Sequence, residues 1–368
     1  MKVGIMSMQR IINYGSWLQA YGLKSVLESM GHCVEFTDYL AEPPLVTETA
    51  EAAAPASKLA RLVRMLSPAY RRYRSRQIRM NQSFSAFHRR FSDEFLPALG
   101  VTREPNLCPE LDALVIGSDE VFNCTQPGTD VGYSLQLFGR DHRAAKLLSY
   151  AASFGSTTME KLEQYGVRDE IGAHLARFDA ISVRDENSAK IVTELLGRAP
   201  VQNIDPVLLY DFPEAEDISV PLKDYIVVYA YAGRIRDDEA RAIRDFAGKH
   251  NKKVLTLGFY QPFCDAYVQA SPLEVLAYVK HADYVVTDTF HGTVFSIKYQ
   301  KRFATIIRDS NSNKLTGLLN TFRLSKHCVQ DLCDLERILA LDPDPAASAI
   351  ITVEREKANQ YLLNAFDF

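Results

Sequence analysis

Residues 282–306 read ADYVVTDTFHGTVFSIKYQKRFATI, and this stretch decides the fold. Residues 283–287 hold three β-branched side chains and a Tyr, the make-up of a short buried strand. Residues 287–293, TDTFHGT, read as a turn, 294–299 begin a helix, and 303–307 read as the next strand. Strand, turn, helix and strand in that order form the crossover of a parallel sheet. Ligands of such sheets sit at the carboxyl ends of the strands, where helix N-termini offer free N–H groups to anions. His291 stands at that point beside Gly292, among Thr287, Asp288, Thr289 and Thr293. Two readings of this stretch remain open: a capped helix with a satisfied histidine, or a titratable group in a ligand cleft.

The whole chain sets the frame. Its 368 residues exceed one ordinary core and predict two domains. With 47% apolar and 24% charged residues the composition is that of a globular protein, and a net charge of −4 supplies no field for nucleic acid. The six cysteines form no C-x-x-C pair and no Cys/His cluster at zinc spacing, so no metal site is expected. Scattered thiols fit a reducing cytosol, and a cytoplasmic location is the expectation. No apolar run reaches the length of a membrane span, and residues 2–6 read as a strand rather than a signal peptide.

Towards the N-terminus, 2–6 is a strand, 7–15 a loop, 16–30 an amphipathic helix ended by Gly31, and 33–37 a second strand. This βαβ unit carries NYGSWLQA at 13–20 where a dinucleotide site would carry G-x-G-x-x-G, which argues against dinucleotide binding. Strands at 112–116, 146–150, 179–183 and 201–204 each run into a small or charged polar cluster, as at a sheet edge facing a ligand cleft. Arg184 is a fixed cation at one of these ends. It reads either as an anion contact or as a salt bridge to Asp185 or Glu186. The acidic, proline-bearing stretch 211–223 is the best linker. A second series follows: strand 225–231, helix 237–250, strand 253–257, then a helix capped by Ser271 and running to His281, with Pro272 first and Glu274 closing a capping box. Short helices at 314–322 and 331–341 precede a last helix at 346–364.

Residues 57–91 hold ten Lys or Arg and no acid, although the chain is net negative. They read as two helices broken near Pro68. Such a run is either a solvated helix face or a surface that meets anionic lipid or an acceptor's diphosphate.

Six short patterns in order resemble the polysaccharide pyruvyl transferase family over most of the chain. They are N-Y-G-S-x-L-Q-A-Y at 13–21, G-S-D-x-x-F-N at 117–123, Y-A-A-S-F-G at 150–155, I-S-V-R-D at 181–185, D-P at 205–206 and T-D-T-F-H-G-T-x-F-S-I at 287–297. Where the family has Ser-Arg, this chain has Asn313-Lys314, which keeps the charge and loses the bidentate fork.

The resemblance implies two Rossmann-like domains facing across a cleft, as in GT-B glycosyltransferases: residues 1–212 with the basic insertion at 57–91, residues 222–345, and a closing helix at 346–368 packed back on the first domain. It implies transfer of pyruvate from phosphoenolpyruvate to two hydroxyls of a sugar, in a polysaccharide or its lipid-linked precursor, giving a cyclic ketal and phosphate. Phosphoenolpyruvate is then the donor substrate, no cofactor is called for, and a peripheral contact with an anionic membrane fits the basic segment. Carried onto this sequence, the catalytic set is His291 as general acid with Asp119 and Asp288, and the chemistry admits Asp119, Asp205 or Asp288 as the base. The substrate-binding set is Arg184, Asn13, Gly15, Ser118 and Ser153 from the first half, and Thr289, Phe290, Gly292, Thr293 and Lys314 from the second. A nucleotide-sugar glycosyltransferase and a non-catalytic carbohydrate-binding relative are the alternatives.

Overall fold

The protein is described as a computed structural model covering residues 1–46, 68–126, 132–308 and 311–367. The first sheet contains β1 (Lys2–Met6), β2 (Cys33–Phe36), β3 (Glu110–Asp119), β4 (Arg143–Ala152), β5 (Ser182–Val183) and β6 (Val201–Gln202). Its order is β2-β1-β3-β4-β5-β6, every pair parallel, with Ile5 opposite Val115. The second sheet contains β7 (Tyr225–Tyr229), β8 (Lys253–Leu257), β9 (Ala266–Val268), β10 (Tyr284–Thr287), β11 (Arg302–Ile306) and β12 (Cys328–Val329). Its order is β12-β11-β10-β7-β8-β9, again all parallel, with Val286 opposite Val228. Both are doubly wound, as expected of two Rossmann-like halves. The strand order reverses between β1 and β3 in one and between β7 and β10 in the other, the points where α/β sheets bind ligands.

β3 and β4 run several residues beyond the predicted spans at both ends, because alternation does not mark the limits of a strand buried on both faces. β9 and β12, two or three residues long on the sheet edges, carry no periodic signal and were not anticipated. The focal helix also differs. It starts at Phe290 rather than 294 and runs to Lys298, because Thr289 caps it by accepting from the Gly292 N–H. His291 therefore lies in its first turn.

One apolar core runs through both halves. Val3, Ile5, Tyr14 and Trp17 from the first share it with Val227, Leu255, Val285 and Phe295 from the second. The helix Pro68–Arg90 feeds this core at its C-terminal end. The Phe87 ring lies 5.1 Å from Tyr14 and 5.5 Å from Phe259, so it touches both halves. Residues 57–67 of the predicted basic segment lie outside the described residues. The acidic stretch 211–223 is packed rather than free: Phe212 is fully buried, and Glu214 accepts from the hydroxyls of Tyr21 and Tyr210. The last helix, Pro345–Phe366, leaves the second sheet and lies against the first. Tyr361 donates to the Ser149 carbonyl at 2.7 Å, and Arg355 donates to the Leu208 carbonyl at 2.5 Å. No helix among the described residues is long and apolar enough to cross a membrane.

Candidate active site

The two switch points face each other. The loop after β1 brings Asn13, β3 ends at Asp119, β5 runs into Arg184, β7 into Tyr231 and Arg234, and β10 into Thr289–His291. Between them lies a cavity of about 110 Å³.

His291 enters from the second half. Gly15, at the start of the helix Tyr14–Ser29, lies flat against its ring, and a Cβ there would collide with the imidazole. That contact explains a glycine in the first turn of a helix. The ring is 9% exposed, its Nε2 is 3.6 Å from Asp205 Oδ2, and that nitrogen has no hydrogen-bond partner among the described residues.

Asp205 joins the halves chemically. It accepts from Arg184 Nη1 at 2.8 Å and from the Val207 N–H at 3.0 Å. Burial alone would push its carboxyl up. His291, Arg184 and the backbone N–H overcome that and hold it at about 2, so it stays ionised. Arg184 turns to Asp205 and, at 3.4 Å, to Asp119, rather than to Asp185 or Glu186. Asp185 instead caps the helix Glu186–Leu196. The Arg184 guanidinium also lies 4.0 Å over the Phe290 ring, a cation–π contact across the two halves. Asp119 adopts a φ of +75°, costly for a residue with a Cβ, and this turns its carboxylate back onto the Ser16 hydroxyl at 2.9 Å.

Lys314 pairs with Glu120, again across the halves. Burial works against the Glu120 carboxylate, yet Lys314 and Asn123 hold it below the ordinary range. Asn13 caps its own helix through the Gly15 N–H and donates to the Tyr231 hydroxyl at 2.6 Å.

Arg234 completes the wall and was not anticipated. Its Nε lies 3.0 Å from Asp288, while its Nη2 is buried without a hydrogen-bond partner among the described residues. Asp288 is itself fully buried, and burial pushes its carboxyl up in spite of Arg234 and Arg308. Arg308 in turn grips Glu239 at 2.6 and 2.8 Å and donates to the Arg234 carbonyl. This network fixes the loop that carries Arg234.

Of the residues selected from sequence, the cavity is lined by Asn13, Asp119, Arg184, Thr289, Phe290, His291 and Lys314. The others lie behind it. Ser118 donates to the Ala151 carbonyl and Ser153 to Asp185, both fully buried inside the first sheet's edge. Thr293 donates to the Thr289 carbonyl, and Gly292 packs on the Thr287 hydroxyl. Asp288 does not line the cavity and holds Arg234 instead. Ser16, Glu120, Tyr229, Tyr231 and Asn311 line it without having been selected. Glu120 and Ser16 lie inside the patterns already quoted. Arg234 follows β7 in AGRIR, another strand running into a polar cluster, so the same signal reaches it. Among the described residues no group of three or more His, Cys, Asp or Glu is placed to hold a metal ion.

The family profile described as polysaccharide pyruvyl transferase matches residues 13–310. The chain belongs to the polysaccharide pyruvyl transferase family. The cavity residues His291, Arg184 and Asp119 of this pyruvyl transferase lie inside the matched region. No curated protein matches it in sequence. In structure it is similar to a UDP-GlcNAc 2-epimerase from Neisseria meningitidis bound to UDP-GlcNAc, at 9% identity and a TM-score of 0.49, over 99% of this chain and 100% of that one. It is similar to the Methanocaldococcus jannaschii UDP-GlcNAc 2-epimerase at 10% identity and a TM-score of 0.49, over 96% and 99%. It is also similar to the spinosyn rhamnosyltransferase SpnG at 12% identity and a TM-score of 0.46, over 99% of both chains.

Proposed function

We propose that this transferase moves the pyruvyl group of phosphoenolpyruvate onto two hydroxyls of a sugar, in a polysaccharide or its lipid-linked precursor, and releases phosphate. One observation carries the reading: a small cavity between two switch points holds two nitrogens without partners among the described residues, Nε2 of His291 and Nη2 of Arg234, beside the cations Arg184 and Lys314. Phosphoenolpyruvate presents a phosphate and a carboxylate a few ångströms apart, and guanidinium forks and ammonium groups match those anions.

The steps follow from the groups present. His291 gives a proton to C3 of the enol, which leaves C2 as an oxocarbenium-like centre. A sugar hydroxyl adds to C2 and passes its proton to Asp119. The bond from C2 to the phosphate oxygen breaks, and both its electrons leave with the phosphate. The second hydroxyl closes the ring and its proton leaves with the phosphate. Asp205 remains an anion 3.6 Å from the imidazole and forms an ion pair with it whenever the ring carries its proton. Asp288 serves by positioning Arg234.

The basic helix supports a peripheral contact with an anionic bilayer holding the acceptor. Arg74, Arg76 and Arg79 are exposed, and Ile78 and Phe84 are 47% and 46% exposed on the same helix.

The deciding experiment mixes the protein, phosphoenolpyruvate and a panel of glycosides and measures phosphate. Acceptor-dependent phosphate release is expected. His291→Asn should reduce it by ~10²–10⁴-fold, the usual worth of an acid–base group, with thermal unfolding retained. Phosphate release that ignores His291 would remove it from the mechanism.

A further inference from the structure

A second chamber of about 330 Å³ adjoins the first and shares Arg184, Phe290 and Lys314 with it. The end of β6 supplies Gln202 and Asn203, the helix Ser312–Thr321 supplies Gly317 and Asn320, and the last helix supplies Glu354 and Lys357 at the mouth.

The chambers differ in charge. In the small one, Arg184, Arg234 and Lys314 outnumber Asp119 and Glu120. In the large one, Asp185, Glu186, Asp205 and Glu354 outnumber the cations. A doubly charged donor is drawn to the first and disfavoured in the second. The large chamber suits a neutral polyol instead. Its amides and carboxylates can pair with hydroxyls, and Leu318, partly exposed beside the buried Phe290 and Phe322, gives apolar surface for the C–H face of a pyranose. Asn203 adds an independent sign. It is 3% exposed, its amide donates to the Ser182 hydroxyl at 2.8 Å, and its Oδ1 has no partner among the described residues. A buried carbonyl left open in this way fits a site that receives a donor from a ligand. The volume also falls within the ~300–1,000 Å³ range of small-molecule sites.

We propose that this chamber is the subsite for the acceptor saccharide, with Asn203 accepting from a ring hydroxyl and the last helix shaping the mouth. The proposal rests on the pyruvyl-transfer reading for the identity of the ligand. A sugar here presents its hydroxyls at the shared wall of Arg184 and Phe290, next to a donor in the small cavity. Selection among acceptors then falls to Asn203, Asn320 and the closing helix, none of which touches the donor cavity.

Gly317 supplies the test. A Cβ at this position meets no atom within 4 Å, so a side chain can start there, and Gly317→Leu adds bulk at a chamber-lining position and puts a better helix former inside the helix. Thr321→Trp, at an exposed rim position, is a second blocking variant. Saturation-transfer NMR on the full chain with a panel of methyl pyranosides is paired with calorimetry of phosphoenolpyruvate. The expected result is saturation of at least one pyranoside by the native chain and a tenfold or greater loss in both variants. Phosphoenolpyruvate affinity should stay within twofold. Saturation that survives both variants, or no pyranoside saturated by the native chain, overturns the assignment. So does a parallel loss of phosphoenolpyruvate affinity. Failure of phosphoenolpyruvate to bind the native chain while the pyranosides behave as expected would sink the donor reading and leave the sugar subsite standing.

Discussion

Replacing Asp205 by Asn removes the charge that ties Arg184 and His291 together. The Asp205 side chain is 1% exposed and that of Arg184 is 4%, so the pair is almost dry. After the change, Arg184 keeps the Phe290 ring and, as its carboxylate partner among the described residues, Asp119 at 3.4 Å, a longer contact to a group already bound by Ser16. Removing one member of a buried pair costs ~3–5 kcal/mol. Asn keeps the shape and an acceptor oxygen for the Val207 N–H, which lowers the expectation towards the bottom of that range. A second route gives a similar figure. Folding holds the carboxyl at about 2 against an ordinary 3.8, and each unit is worth about 1.4 kcal/mol, so its ionisation contributes roughly 2 kcal/mol. The sign follows from the direction. A depressed carboxyl stabilises fully above its ordinary value, and that stability is lost as pH falls from 3.8 towards 2. Guanidinium unfolding followed by circular dichroism should therefore show the variant weaker by ~2–3 kcal/mol at pH 7 and at pH 5. The gap should narrow only in more acid solution. Phosphate release should fall as well, since Arg184 loses its anchor and the imidazole loses the anion beside it. A variant within ~0.5 kcal/mol of the native chain at pH 7, or a gap that widens on acidification, would refute the reasoning.

Arg234→Lys keeps the charge but loses the fork and its grip on Asp288. Calorimetry should show phosphoenolpyruvate binding weakened ~10–100-fold, a loss of about 1.4–2.8 kcal/mol, and unchanged affinity would take Arg234 out of the donor site. Lys298 is pushed down to about 7 by burial, although it donates to the Tyr210 carbonyl at 2.6 Å and lies 5.2 Å over the Phe212 ring. Since the unfolded chain binds its proton more tightly, stability should rise as pH climbs from 7 towards 10, and Lys298→Met should flatten that rise in a thermal-unfolding series. The protein should sediment with anionic vesicles at low salt and be released as salt increases. Replacing Arg74, Arg76 and Arg79 together by Gln should abolish sedimentation but spare activity on a soluble glycoside; absence of sedimentation in the native chain would end the membrane reading.

The polar clusters that follow the main strands were legible in the sequence because each pairs an apolar run with an abrupt polar stretch, and that contrast needs no knowledge of packing. His291, Arg184 and Asp119, which line the cavity, were selected in this way. The same signal overreached at Ser118 and Ser153, whose hydroxyls serve the sheet edge itself. A small polar residue after a strand can satisfy a nearby carbonyl, as Ser118 does, or a capping carboxylate, as Ser153 does, instead of meeting a ligand. The strand-end signal reaches Arg234 but not its role, which depends on Asp288, Arg308 and Glu239, brought together by folding. The pairing of ends was not legible at all. Asn13 with Tyr231, Asp205 with His291 and Glu120 with Lys314 each join one half to the other, and nothing local to either partner names the other. That pairing is set by the shared core, where Tyr14 and Trp17 pack in one cluster with Leu255 and Val285. Apolar packing between the halves therefore has a chemical consequence: loosening it separates the imidazole from Asp205 and the Lys314 ammonium from Glu120 before any site residue is altered. A core substitution far from the cavity, if it opens the seam by even an ångström, should then cost activity before it costs secondary structure, because the site is assembled from both sides and belongs to neither.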